Sequence, residues 1–340
     1  MVGPKSMLGD LLRRIFGGDP REHDSVPETI DQLVAATDSR LALLPGYRRI
    51  LAPGMRRTLS YVESLAEKLP ESLELSLLAF TLDRRLGLFF SSPSSLLSLL
   101  KKNQPLQDYF HSASNGDDAY ALLLMQRTDS TRYGIANQNG ELRSDVAQTV
   151  VSFDRHYLML PCSSFEALRQ HSHERGLDVL TRVIARRLEL LDRERVELDC
   201  ELTRIRLRLS ALANPKLVLI DALPDNDPLP LDRDALLALQ EQKSQRMLEL
   251  KTVTELNGLL ELVAYMLEHP EDYLRVELTA LSLDRMGVVQ SEQTEQEVTR
   301  VCVEEILLGP DEPVHRVVLP VHISRQSISE LERCVAAADD

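Results

Sequence analysis

The stretch LDVLTRVIARRLELLDRERVELDCELTRIRLRLSAL, residues 177–212, decides the architecture of the middle of this 340-residue chain. Apolar residues recur in it at Leu180, Ile184, Leu188, Leu191, Leu198, Leu202, Ile205, Leu209 and Leu212, with Arg195 filling one slot. Gaps of three and four are the a/d spacing of a coiled-coil seam. Glu, Asp and Arg cover the other faces, and Glu189 stands four residues before Arg193 as a supporting pair. Asn214-Pro215 stops the run, and a second helical pattern starts near Asp232. It passes through Leu236, Leu239, Leu250, Val253, Leu256, Leu260, Val263 and Leu267 and ends at His269-Pro270. Each arm would span about 55 Å at a rise of about 1.5 Å per residue, so the pair reads as a long antiparallel helical hairpin. Ile184, Leu188, Leu191, Leu198, Leu202, Ile205, Leu250, Val253, Leu260 and Val263 form its seam and are the candidate interaction residues. The apolar stripes are wider than a strict seam, so a third element or a second chain is expected against them.

Strand-like patterns flank the hairpin. Before it, Ala119–Met125, Tyr133–Ala136, Val146–Phe153 and Tyr157–Leu160 suggest three or four antiparallel strands, with Asn139-Gly140 as a turn signal. After it, Leu274, Val276, Leu278 and Ala280 alternate with polar residues, and Val298–Leu308 and Val314–Ile323 add two strands. These two β segments either join in one sheet or form separate modules. Residues 26–115 read as helical, with a helix over Met55–Leu69 stopped by Pro70, another from about Glu71 through Leu88, and one over Leu96–Lys102. The fold class is α+β and predominantly helical. Its segments are an amphipathic stretch and linker (1–25), an N-terminal helical bundle (26–115) and a small antiparallel β region (116–162). The long hairpin (163–270), a C-terminal antiparallel β module (271–327) and a short terminal helix (328–340) complete it.

Composition narrows the function classes. The net charge of −14 opposes a polyphosphate partner, so nucleic acid is not expected. Aromatic residues make up 4% of the chain and Trp is missing, which removes the usual stacking platforms for single strands. Cys162, Cys200, Cys302 and Cys334 are far apart and form no CxxC, as expected of reduced structural thiols. Together with the lack of a signal-peptide pattern or a span-length apolar run, this predicts the cytoplasm. Met7, Leu8, Leu11, Leu12, Ile15 and Phe16 share one helical face, beside Arg13 and Arg14, and offer a weak route to a membrane surface.

No constellation demands catalysis, and no cofactor or metal is expected. His171 and His173 lie two apart, which on a helix turns them about 200° from one another. His315 and His322 fall on opposite faces of a strand. Cys162 sits at a strand-to-helix junction near His156, where a thiolate nucleophile would be favoured, but no base or oxyanion hole can be assembled around it.

The stretch Leu278-Thr-Ala-Leu-Ser-Leu-Asp-Arg-Met-Gly-Val-Val289 resembles the strand and turn of PilZ domains, small β-barrels that bind cyclic di-GMP in bacteria. Their pattern is Asp/Asn-x-Ser-x-x-Gly after a strand, with Arg-x-x-x-Arg upstream. The following strands suit that spacing, and the helix ending Leu259–Leu267 is similar to atypical members that assemble through helices. With Ser282 as the motif serine, Ala280 replaces the acid or amide and Arg285 the glycine; with Gly287 as the motif glycine, Asp284 replaces the serine. No Arg-x-x-x-Arg stands directly before the stretch. The resemblance implies a degenerate regulatory barrel whose ligand-contacting residues are missing. Four readings follow. The first is a non-catalytic cytoplasmic interaction or scaffold protein that self-associates or binds a protein partner through the hairpin. The alternatives are a PilZ-like regulator of cyclic-di-GMP signalling, an enzyme with a cleft between the helical bundle and the β region, and peripheral attachment to a membrane.

Overall fold

The computed structural model describes residues 26–112, 116–138, 141–213, 232–290, 298–309 and 314–339. They group into two compact units, one of residues 58–180 and 270–339, the other of residues 26–57 and 181–269. The chain is α+β, as its sequence predicts. The amphipathic stretch Met7–Phe16 and the Asn139-Gly140 turn lie outside the described residues.

The first unit is built on one sheet, which settles the alternative left open by the sequence. Strands β1 (Leu73–Glu74), β2 (Asp118–Gln138), β3 (Glu141–Cys162), β4 (Leu274–Leu283), β5 (Thr299–Leu308) and β6 (Val314–Ser324) form it. Five of them take the order β3-β2-β6-β5-β4, all antiparallel, and β1 pairs parallel with β6. Residues 116–162 hold two long strands in place of the three or four shorter ones expected. The breaks that looked like strand ends are bulges, where two residues of β3 oppose one of β2. Each bulge holds one residue of positive φ, namely Asp145, Arg155 or Leu160.

Those bulges bend β3, and the two edges of the sheet meet through the turn after β4. Val288 bridges Val150 of β3, and Val289 bridges Leu283 of β4. The Val151 N–H donates to the Gly287 carbonyl at 2.8 Å, and the Val289 N–H to the Thr149 carbonyl at 2.9 Å. Gly287 has φ +76°, and a Cβ there would stand 2.4 Å from the Val151 oxygen, so the closure requires glycine.

One face of the sheet carries Ala119, Ala121, Leu123 and Met125 of β2, with Val317, Leu319, Val321 and Ile323 of β6, into the main core. Helices α3 (Leu77–Leu82), α4 (Arg84–Phe89), α5 (Pro93–Lys102), α6 (Gln104–His111) and α10 (Arg325–Asp339) supply its other side. The single helix expected from Glu71 is instead β1, α3 and α4. The leucine period there is overridden by local caps. Ser76 accepts from the Ala79 N–H, and Asp83 ends α3 while accepting from the Arg85 N–H to start α4. Ser92 caps α5 in a capping box with Ser95. The buried Asn103 caps α6 through the Leu106 N–H and donates to the Leu158 carbonyl at 2.8 Å.

The second unit contains α1 (Val26–Thr37), the first part of α2 (Tyr47–Glu67) and most of α7 (Phe165–Ala213), with α8 (Arg233–Thr254) and α9 (Leu256–Glu268). Helix α2 begins eight residues before the Met55 start expected from sequence and holds Pro53 inside it. Gly54 lets that helix approach α9 closely, since a Cβ there would meet the Leu267 Cβ at 2.8 Å. The hairpin's second arm is two helices, broken at Glu255. Gly258 follows the break, where a Cβ would stand 2.2 Å from the Thr252 carbonyl oxygen.

Candidate functional site

The hairpin arms run antiparallel: Arg246 reaches Glu194 at 2.9 Å, and Lys243 reaches Glu201 at 2.7 Å. Between the arms Leu191, Leu198 and Leu250 pack as one cluster, with Met247, Val253 and Leu262 against it. Of the seam residues, Ile184, Leu188, Leu191, Leu198, Leu202, Ile205, Leu250, Leu260 and Val263 are buried and Val253 is half-buried. The chain therefore fills this seam with its own side chains, and another molecule would meet a different face.

Such a face exists on α7. Successive helical residues turn by about 100°, so Val196, Cys200, Thr203, Leu207 and Ser210 share a band about 80° wide, opposite the seam. All five are exposed, with Val196 at 50% and Leu207 at 45%. Their gaps of four, three, four and three repeat the a/d spacing, and none is charged on a helix otherwise rich in Glu, Asp and Arg. Sequence reading missed this stripe because Cys, Thr and Ser do not register as an apolar period. The signal that could have found it is a charge-free register.

The first unit holds an apolar cavity of about 280 Å³ on the sheet face opposite the main core. Register places Leu124, Val318, Glu304 and Leu278 in one row across four strands. Val62, Leu65 and Ala66 of α2 and Val179 of α7 wall the other side. Gly176 permits the approach of these two helices, for a Cβ there would lie 2.4 Å from the Val62 Cγ1. Tyr61 ties α2 to the sheet by donating its hydroxyl to the Leu274 carbonyl at 2.7 Å. Burial among these apolar walls pushes the Glu304 carboxyl above its ordinary range. Beside Glu304, the polar residues in the cavity's lining are Lys68, Ser172 and Arg175.

Cys162 does not have the setting of a thiolate. Burial pushes its thiol up to about 12, and its histidine neighbour is His171, with Nδ1 3.2 Å from Sγ, in place of His156. His156 instead stacks on Phe90 with ring centroids 4.7 Å apart, and burial lowers its pKa. Among the described residues, no group of three or more His, Cys, Asp and Glu is placed to hold a metal ion. No helix of the described residues is long and apolar enough to cross a membrane. No family model matches this chain, and no curated protein and no solved structure matches it.

Proposed function

We propose that this chain is a non-catalytic cytoplasmic interaction protein that self-associates through its helical hairpin. One observation carries the reading: the exposed, uncharged a/d stripe from Val196 to Ser210 on the side of α7 opposite the filled seam. A helix face of that period exposes apolar surface at a cost, and covering it is favourable. The four cysteines are free, in keeping with a reducing compartment. Light scattering on the eluting chain at high micromolar concentration tests the reading. A particle heavier than one 38.4-kDa chain is expected, and a strict monomer overturns it.

A second reading is favoured by a different observation. The Leu278–Val289 stretch, which resembles a PilZ strand and turn, is the one that brings the sheet edges together. That supports a regulatory module of the cyclic-di-GMP type, with the departures at Ala280, Asp284 and Arg285 weighing against ligand contact. Calorimetry with cyclic di-GMP decides it, and no heat at tens of micromolar ligand removes ligand sensing.

A further inference from the structure

The cavity against the sheet of the first unit carries a charge that no described side chain answers. Glu304 stands in the row Leu124, Val318, Glu304 and Leu278, so both of its cross-strand neighbours on that face are apolar. Among the described residues its carboxyl makes no ion pair and no hydrogen bond, and burial is the one cause that displaces its pKa. A carboxylate drawn from water without a counter-charge is unfavourable, and a cation brought beside it relieves this.

The other polar groups of the lining are engaged elsewhere or lie outside. Arg175 is held by Asp178 at 3.4 Å, one turn along α7, and the Ser172 hydroxyl donates to the Leu168 carbonyl at 2.6 Å. Lys68 is exposed, just past the end of α2. Depth orders the rest of the site. Leu122, Leu124, Met159, Val62 and Val179 are buried, whereas Glu304 is half-buried and Leu278 beside it is exposed. The carboxyl therefore stands toward the open side, with apolar walls behind it. A dry cavity of about 150 Å³ admits benzene, so one of about 280 Å³ holds about eleven carbon-sized atoms.

We propose that this cavity binds a small hydrophobic amine, its ammonium paired with Glu304 and its hydrocarbon body seated between the sheet and helices α2 and α7. Such an amine is protonated at neutral pH, as a lysine side chain is. A neutral alcohol of the same length gains only the apolar contact, and a carboxylate of that length adds a like charge beside Glu304. The site lies wholly in the first unit, so it is independent of self-association through the hairpin.

Calorimetry on the full-length chain near neutral pH with octylamine, octanol and octanoate tests the assignment. Octylamine should bind at a single site at least tenfold more tightly than octanol, and octanoate more weakly than either. Glu304→Gln keeps the shape of the side chain and should bring the amine to within about threefold of the alcohol. A second measurement needs no variant. With methyl-labelled methionine, saturating octylamine should shift the Met159 signal and leave that of Met125, which faces the main core on the other side of the sheet. No octylamine binding, octanoate binding as tightly as octylamine, an amine preference that survives Glu304→Gln, or an unmoved Met159 signal each overturns the assignment.

Discussion

Replacing Gly287 with alanine perturbs the contact that brings β3 and β4 together, and the structure supplies its own control. Gly287 and Gly309 both have positive φ, +76° and +92°, but only at Gly287 would a Cβ collide, 2.4 Å from the Val151 oxygen. Left-handed backbone costs alanine about 1–2 kcal/mol relative to glycine, a penalty that the two sites share. At Gly287 the Val151-to-Gly287 and Val289-to-Thr149 hydrogen bonds must also give way. At about 1 kcal/mol each, Gly287→Ala should exceed Gly309→Ala by about 2 kcal/mol, near thirtyfold in the local opening equilibrium. Native-state hydrogen exchange at the Val151 and Val289 amides reads that opening directly. Equal losses in the two variants, or full protection of both amides in Gly287→Ala, would refute the closure.

Three further outcomes are expected. Asn103→Ala removes a helix cap and strands the Leu158 carbonyl, so urea unfolding should show a loss of about 2–3 kcal/mol; a loss under about 0.5 kcal/mol contradicts this. Glu304 has a pKa raised above 4.5, so the folded state holds its proton longer than the unfolded chain does. Its contribution is therefore fully present below that value and is lost as pH rises through the folded pKa. Glu304→Gln should flatten this part of the stability-versus-pH curve, and an unchanged curve counts against the burial account. Finally, a maleimide near neutral pH should modify the exposed Cys302 rapidly and leave the buried Cys162 unmodified until urea is added.

The hairpin was legible in the sequence because a three-and-four period over many turns has no competing explanation at that length. Its interruption at Glu255 was not, since Gly258 marks only a close approach to the Thr252 carbonyl, which no local pattern encodes. The leucines from 73 to 88 misled for the opposite reason. They match a helical period, yet Leu73 pairs with β6 and Asp83 caps two helices in succession. The single sheet lay out of reach because the pairing of residues 118–125 with 317–324 is set by tertiary packing. The stripe on α7 needed exposure as well as spacing. Val196 and Leu207 look like ordinary members of a leucine-rich helix until Leu198, Leu202 and Ile205 are seen to fill the opposite face.

Sedimentation equilibrium on the native chain and on Leu207→Glu, each from low to high micromolar concentration, tests the central claim most directly. The native chain should approach twice its 38.4-kDa mass, while Leu207→Glu remains at the single-chain value. Equal masses for the two chains at every concentration would contradict assembly through the exposed face of the hairpin.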